Sequence, residues 1–235
     1  MFMLKINSKK YIIKEMKEGE AFMEVIILLT LIVLFLILSL PKNKTNQPRS
    51  TTLEPSRQTC DPKEEAGIRG EKMLLQAVKF TSCGGHILCN LKVPTNYNVT
   101  EIDLVLLHQT GIYVFEAKNY AGSIYGRQQD EYWSQIKHQE EKEFYNPMKQ
   151  NETHIRALSY YLHIPEQIFC SYIVFGNQAI LKEIERTNED HYILNLKALP
   201  QCLHEEVSMY DAIYTQQELE KFYELLRRLE HTYEE

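Results

Sequence analysis

Between Thr100 and Lys118 the chain reads T-E-I-D-L-V-L-L-H-Q-T-G-I-Y-V-F-E-A-K. Two apolar runs, 101–107 and 111–117, flank the short turn Gln109-Thr110-Gly111, so the stretch predicts an antiparallel hairpin. Val105, Leu106 and Leu107 are consecutive apolar residues. A strand of that kind is covered on both faces, which calls for a sheet between helices. The hairpin also carries charge where a buried sheet has little room for it. Asp103 stands near the start of the first run, and the second ends in Glu116-Ala117-Lys118. A turn near 109–111 places Asp103 and Glu116 almost opposite each other. Glu116 and Lys118 are two apart and share a strand face.

Buried or half-buried charges cost several kcal/mol unless they are paired or metal-bound. Two readings of this group stay open. One is an Asp–Lys–Glu ion-pair cluster at the surface end of a sheet. The other is a divalent metal site. Two carboxylates with open water positions suit Mg²⁺ or Mn²⁺, which keep waters and accept a substrate phosphate as a further ligand. In that reading the carbonyl of Ala117 is an additional candidate ligand. The Lys118 ammonium orients a water or offsets charge on a phosphate oxygen.

The flanking sequence supplies the rest of an α/β pattern. Residues 65–80 carry Ile68, Leu74, Leu75 and Val78 on one stripe and predict a helix, with Glu71 near its core-facing side. His86 to Val93 alternates and reads as a strand. Residues 122–126 read as a short edge strand, with the single tryptophan, Trp133, packed over it in a structural role. Asn146-Pro147 is a strong helix start, the asparagine as N-cap and the proline at the first helical position. That helix is expected to run to about Leu162. Gln150 lies in its first turn, where free amides favour phosphate; a capping or core amide is the equal alternative. His154, four residues on, is assigned no role. Strands follow at 168–175 and 192–196, and a helix at 216–230 with Leu219, Phe222, Tyr223, Leu226 and Leu229 as its buried stripe.

Several of these pieces, in this order, resemble the nuclease-related domain (NERD) family, a branch of the PD-(D/E)xK nuclease superfamily. They are Gly67-Ile68-Arg69-Gly70-Glu71, Glu101-Ile102-Asp103, Gly111 through Tyr120 with Gly122 after it, Trp133, and Asn146 through Asn151. The resemblance spans about 64–177. It implies a restriction-endonuclease-like α/β fold, a mixed sheet flanked by helices, and metal-dependent phosphodiester cleavage. Carried over residue by residue, the implied catalytic set is Glu71, Asp103, Glu116, Lys118 and Gln150. Asp103, Glu116, Ala117 and Glu71 are the implied metal ligands for Mg²⁺ or Mn²⁺. None of these positions is altered.

At 235 residues the chain has room for one ordinary domain and additional segments. Five cysteines form no C-x-x-C pair, which argues against zinc, and their odd number argues against a disulfide framework. Val25 to Leu40 carries no charge, and with Ala21-Phe22-Met23 in front it is long enough to cross a bilayer. No small-x-small cleavage site follows Leu40, so a retained anchor is favoured over a signal peptide. The expected organisation is an N-terminal extension (1–21), a transmembrane helix (22–40), a flexible polar tether (41–62), the nuclease-like domain (64–177) and a C-terminal strand and helix completing it (178–235). Lysines and arginines are nearly balanced across the apolar segment. Lys17-Glu18-Gly19-Glu20 is encodable by a purine-rich stretch like a ribosome-binding site, which makes Met23 a candidate start. That start leaves basic residues only after Leu40 and favours a cytoplasmic domain on a single-pass cell-membrane protein.

Nine of the 26 basic residues and five of the 32 acidic ones precede residue 60, leaving 17 against 27, a formal net of −10. A nucleic-acid binder normally neutralises phosphates with basic side chains. The domain has no long basic stripe; Lys118, Arg127, Lys149 and Arg156 are the cations expected to funnel substrate to the site. The expectation is therefore weak, salt-sensitive engagement of nucleic acid, DNA ahead of RNA by superfamily analogy. The alternative is a non-catalytic, membrane-tethered protein-interaction module on the same fold.

Overall fold

The computed structural model describes residues 62–81, 84–95, 98–186 and 191–230. Helix α1 (Pro62–Phe80) leads into strands β1 (His86–Pro94), β2 (Val99–His108) and β3 (Gly111–Lys118). A second group of strands follows: β4 (Gly122–Arg127), β5 (Tyr132–Lys137) and β6 (Glu140–Tyr145). Helix α2 (Pro147–Leu162) then returns the chain to β7 (Phe169–Phe175), β8 (Ala179–Glu185) and β9 (His191–Asn195). Helices α3 (Leu199–Met209) and α4 (Gln216–Leu226) close the described part. The extension, membrane helix and tether expected at 1–62 lie outside the described residues except for Pro62, as does a start at Met23. Among the described residues no helix is long and apolar enough to cross a membrane.

The expected hairpin forms, with His108 paired to Gly111 and Leu104 to Phe115. Its strands lie inside a five-stranded sheet of order β1-β2-β3-β7-β9. β1–β2 and β2–β3 are antiparallel, while β3–β7 and β7–β9 are parallel. Val105, Leu106 and Leu107 are all fully buried, as consecutive apolar residues require. On one face Leu74 and Val78 of α1 and Leu199 and Leu203 of α3 cover Leu104, Leu106, Phe115, Tyr172 and Val174. Helix α2 covers the other face, packing on β3 and β7.

The fold thus contains two mixed sheets where one was expected. The second is four-stranded, in the order β6-β5-β4-β8. Its parallel β4–β8 pair follows directly on the parallel β3–β7 pair. The crossing is fixed by Gly176 N–H to Lys118 O (2.9 Å) and Gly122 N–H to Gln178 O (3.0 Å). β4, read from the sequence as an edge, is therefore an interior strand, because β5 and β8 flank it. Trp133 does pack on β4: a methyl group on Gly126 would run into its indole ring. Its Nε1–H donates to Arg127 O at 3.0 Å. The last helix ends at Leu226 and continues only as a short 3-10 turn, Arg227–Leu229.

Candidate active site

Three elements bring the charged residues together. β2 and β3 meet at the end of their shared ladder, and α2 crosses above them. Asp103 stands one position beyond the paired residues Leu104 and Phe115. There its Oδ2 accepts from the Ala117 backbone N–H at 2.7 Å. This places Asp103 beside the Glu116-Ala117-Lys118 segment, as the register arithmetic predicts.

Helix α2 begins as its sequence dictates. Asn146 caps it, its Oδ1 accepting from Met148 N–H at 2.9 Å. The Asn146 amide nitrogen donates to the carbonyls of Arg127, Gln128 and Asp130. The cap thus ties the helix start to the β4–β5 turn, and with the start fixed Gln150 falls over β3. Lys118 Nζ donates to Gln150 Oε1 at 2.9 Å and to Glu116 Oε1 at 2.6 Å. The ammonium is held from two sides, one neutral and one anionic.

Glu116 is 1 % exposed. Burial works to raise its pKa, but the His154 hydrogen bond and the Lys118 charge outweigh it, and Glu116 stays below the usual carboxylate range. Burial also works to lower the Lys118 pKa; the charge and hydrogen bond of Glu116 win, and the ammonium is strengthened. Asp103 behaves in the opposite way. Burial and then the Glu116 charge raise its pKa well above normal, against the Ala117 N–H and the Lys118 charge. Glu71, half-buried on α1, is raised by burial and then by Glu101 and Glu116. The site therefore gathers three carboxyl groups around one ammonium and disfavours their joint ionisation.

Glu71 is placed by a close contact. The Asn119 amide donates to Ala66 O on α1 at 2.8 Å. A methyl on Gly70 would lie 2.8 Å from Asn119 Cβ. Only a glycine lets α1 approach the end of β3 here, and Glu71 is the next residue.

The donor set fits a hard divalent cation bound through few protein ligands. Mg²⁺ is commonly held by one or two carboxylates with waters and substrate phosphate, and Asp103 and Glu116 are such a pair in an environment that disfavours their joint charge. Among the described residues no three His, Cys, Asp or Glu side chains gather as a ligand cluster. Glu71 accordingly feels the pair electrostatically without forming a triad with it.

Sequence reasoning left His154 without a role, and the structure corrects that. Its ring is buried, with Nε2 3.0 Å from Glu116 Oε2 and Nδ1 2.8 Å from Thr100 Oγ1. The available signal was its place four residues after Gln150, on the same helix face. The cations expected to funnel substrate have protein partners in the structure. Arg127 pairs with Glu185, Arg156 with Glu166, and Lys149 donates to Gln129 O. Lys118 faces Glu116 and Gln150, so each of the four cations is already engaged.

A family model described as "Nuclease-related domain" matches residues 66–176. An uncharacterized protein of Bacillus anthracis is 30% identical over 165 residues, covering 69% of this chain and 76% of that protein. No solved structure gives a significant match. The matched region runs from the residues before Gly70 to the Gly176 crossing and contains every site residue named above.

Proposed function

The chain belongs to the nuclease-related domain family, and on that premise we propose that it is a membrane-anchored, metal-dependent phosphodiesterase acting on nucleic acid, DNA ahead of RNA. The observation that carries the reading is the Lys118 ammonium held between Glu116 and Gln150 beside Asp103. Structural ion pairs need no second carboxylate whose charge is disfavoured; a cation-binding site does. Asp103 and Glu116 would hold Mg²⁺ or Mn²⁺, with the Ala117 carbonyl as a supplementary ligand; Glu71, outside that pair, would contribute its charge. When bound, the ion supplies charge neutralisation at the scissile phosphate and a lowered pKa for a coordinated water.

The chain's own groups do the remaining work. Lys118 presents its ammonium to the attacking water or to a non-bridging phosphate oxygen. Gln150 holds that ammonium in place and orients the substrate from the first turn of α2. Binding is weak and salt-sensitive, because the cations around the site already have partners. The anchor at 22–40 would keep the domain at the inner face of the cell membrane.

A second reading, a tethered protein-interaction module without catalysis, is favoured by the net charge of −10 from residue 60 onward, where 17 basic residues face 27 acidic ones. Cleavage assays decide between the two. The full chain in mild detergent would be incubated with labelled single- and double-stranded DNA and RNA. Cutting with Mg²⁺ or Mn²⁺ that EDTA abolishes and Asp103→Ala lacks is the expected result. A folded chain that cuts none of these substrates under any of these conditions would leave the interaction module as the better account.

A further inference from the structure

Among the described residues the most unusual group outside the implied catalytic set is His154. It is 2 % exposed, midway along a helix whose neighbouring buried residues are Asn151, Ile155, Ala157 and Leu158. A buried imidazole in such a place needs partners, and it has one on each nitrogen. Nε2 lies 3.0 Å from Glu116 Oε2 and Nδ1 lies 2.8 Å from Thr100 Oγ1. An ionised carboxylate only accepts, so Nε2 carries a proton and donates to Glu116. The Thr100 hydroxyl sits at the far nitrogen and fixes the ring's rotation.

The consequence falls on Glu116. Its Oε1 receives Lys118 Nζ and its Oε2 receives His154 Nε2. Two donors on two oxygens leave the carboxylate plane no freedom to turn. The donors come from different elements, β3 and α2, so the plane is tied to the seating of the helix on the sheet. Resting on the nuclease reading above, we propose that His154, itself oriented by Thr100, is the positioning residue that sets the Glu116 carboxylate for divalent-cation binding. The side-chain partners of His154 are Glu116 and Thr100, so its role runs through Glu116. It acts as partners behind metal ligands do, by fixing rotamer and orientation, and losing such a partner typically weakens metal binding 10–100-fold.

Calorimetric titration of the metal-free full chain with Mn²⁺, in mild detergent, tests this without requiring turnover. Wild type, His154→Ala, His154→Gln and Thr100→Val would be compared, each melted first without metal to verify folding. The glutamine amide nitrogen reaches about where Nε2 does and restores a donor to Glu116. The expected result is a Kd for Mn²⁺ raised about 10–100-fold in His154→Ala and about tenfold in Thr100→Val, with recovery toward wild type in His154→Gln. A purely structural histidine would lower the melting temperature and leave the Kd of the folded protein unchanged. If His154→Ala does not fold, Thr100→Val and His154→Gln decide the matter. Wild-type affinity in a folded His154→Ala, or an unchanged Kd in Thr100→Val, would overturn the positioning role while the nuclease reading stands. Wild-type protein that binds no Mn²⁺ would overturn both.

Discussion

The two faces of the five-stranded sheet are built by different rules. Beneath α1 and α3 the contacts are apolar and aromatic: Leu74, Val78, Leu199 and Leu203 against Leu104, Leu106, Phe115 and Tyr172. Beneath α2 the same strands turn Glu116, Lys118 and Ser171 toward Gln150, Asn151 and His154. The first face is stabilised by area removed from water, which is non-directional and tolerant of small shifts. The second also buries apolar residues, Met148, Ile155 and Leu158 among them, but adds directional hydrogen bonds, each of which fixes an atom in place and is costly if broken. A sheet that needed only stability would have two faces of the first kind. The polar face sacrifices some stability to hold charge in a defined arrangement.

The sharpest break between the faces is at the buried ion pair. Lys118→Met should remove cleavage by about 10²–10³-fold or more, and it should also destabilise the fold by about 3–5 kcal/mol by stranding the buried Glu116 charge. Adding Glu116→Gln should return most of the stability and none of the cleavage, as melting and cleavage measured on the same preparations would reveal. Recovery of both would mean the pair is structural only. On the apolar face, Leu106→Ala should cost about 2–5 kcal/mol through lost burial and a cavity. Its cleavage rate per folded molecule should hold, since no charged group moves; a rate that falls with the stability would erase the distinction between faces.

Asn151→Ala probes the polar face away from the charges. Asn151 donates to Val114 O at 3.0 Å and Ser171 Oγ at 2.8 Å, and Ser171 Oγ contacts His191. Losing those donors should cost about 1–3 kcal/mol in denaturant unfolding. A neutral result would show that this network bears little load. The smallest effect is expected at Cys89, whose thiol burial pushes up to about 11 from an ordinary 9.0. A raised folded pKa favours the neutral thiol in the native state. Its contribution is therefore full below pH 9.0 and is lost as pH rises through about 11. Cys89→Ser should shrink that alkaline loss in a melting-versus-pH series; an unchanged slope would assign the loss to other groups.

The two faces were not equally legible in the sequence. The apolar face and the hairpin could be read because burial leaves long apolar runs and a short turn near Gln109–Gly111 fixes register by counting. The same counting put Asp103 beside Glu116. The second sheet could not be read that way. β6 is Glu-Glu-Lys-Glu-Phe-Tyr, and only its pairing with Tyr132–Lys137 makes it a strand. β8 was missed because Lys182, Glu183 and Glu185 break its apolar run, and α3 because its buried positions are only Leu199, Leu203 and Glu206, too few for an apolar stripe. His154 was missed for another reason: its partners Glu116 and Thr100 lie 38 and 54 residues away in sequence. A buried histidine and a solvated one look alike until the helix is seated. Gly70 and Asn119 were noticed only as pieces of a motif; their contact explains why a glycine must precede Glu71.

The most direct test of the cation-binding face is the melting temperature of wild type and Asp103→Asn, each with and without Mn²⁺. Burial and the Glu116 charge disfavour an ionised Asp103, so the neutral isostere should melt higher than wild type in the absence of metal. A cation that binds only the folded protein raises its melting temperature by mass action. The account predicts that Mn²⁺ raises the wild-type midpoint and leaves Asp103→Asn unmoved, so the order of the two reverses or closes. A wild-type midpoint indifferent to Mn²⁺, or an Asp103→Asn protein that melts lower without metal, would contradict it.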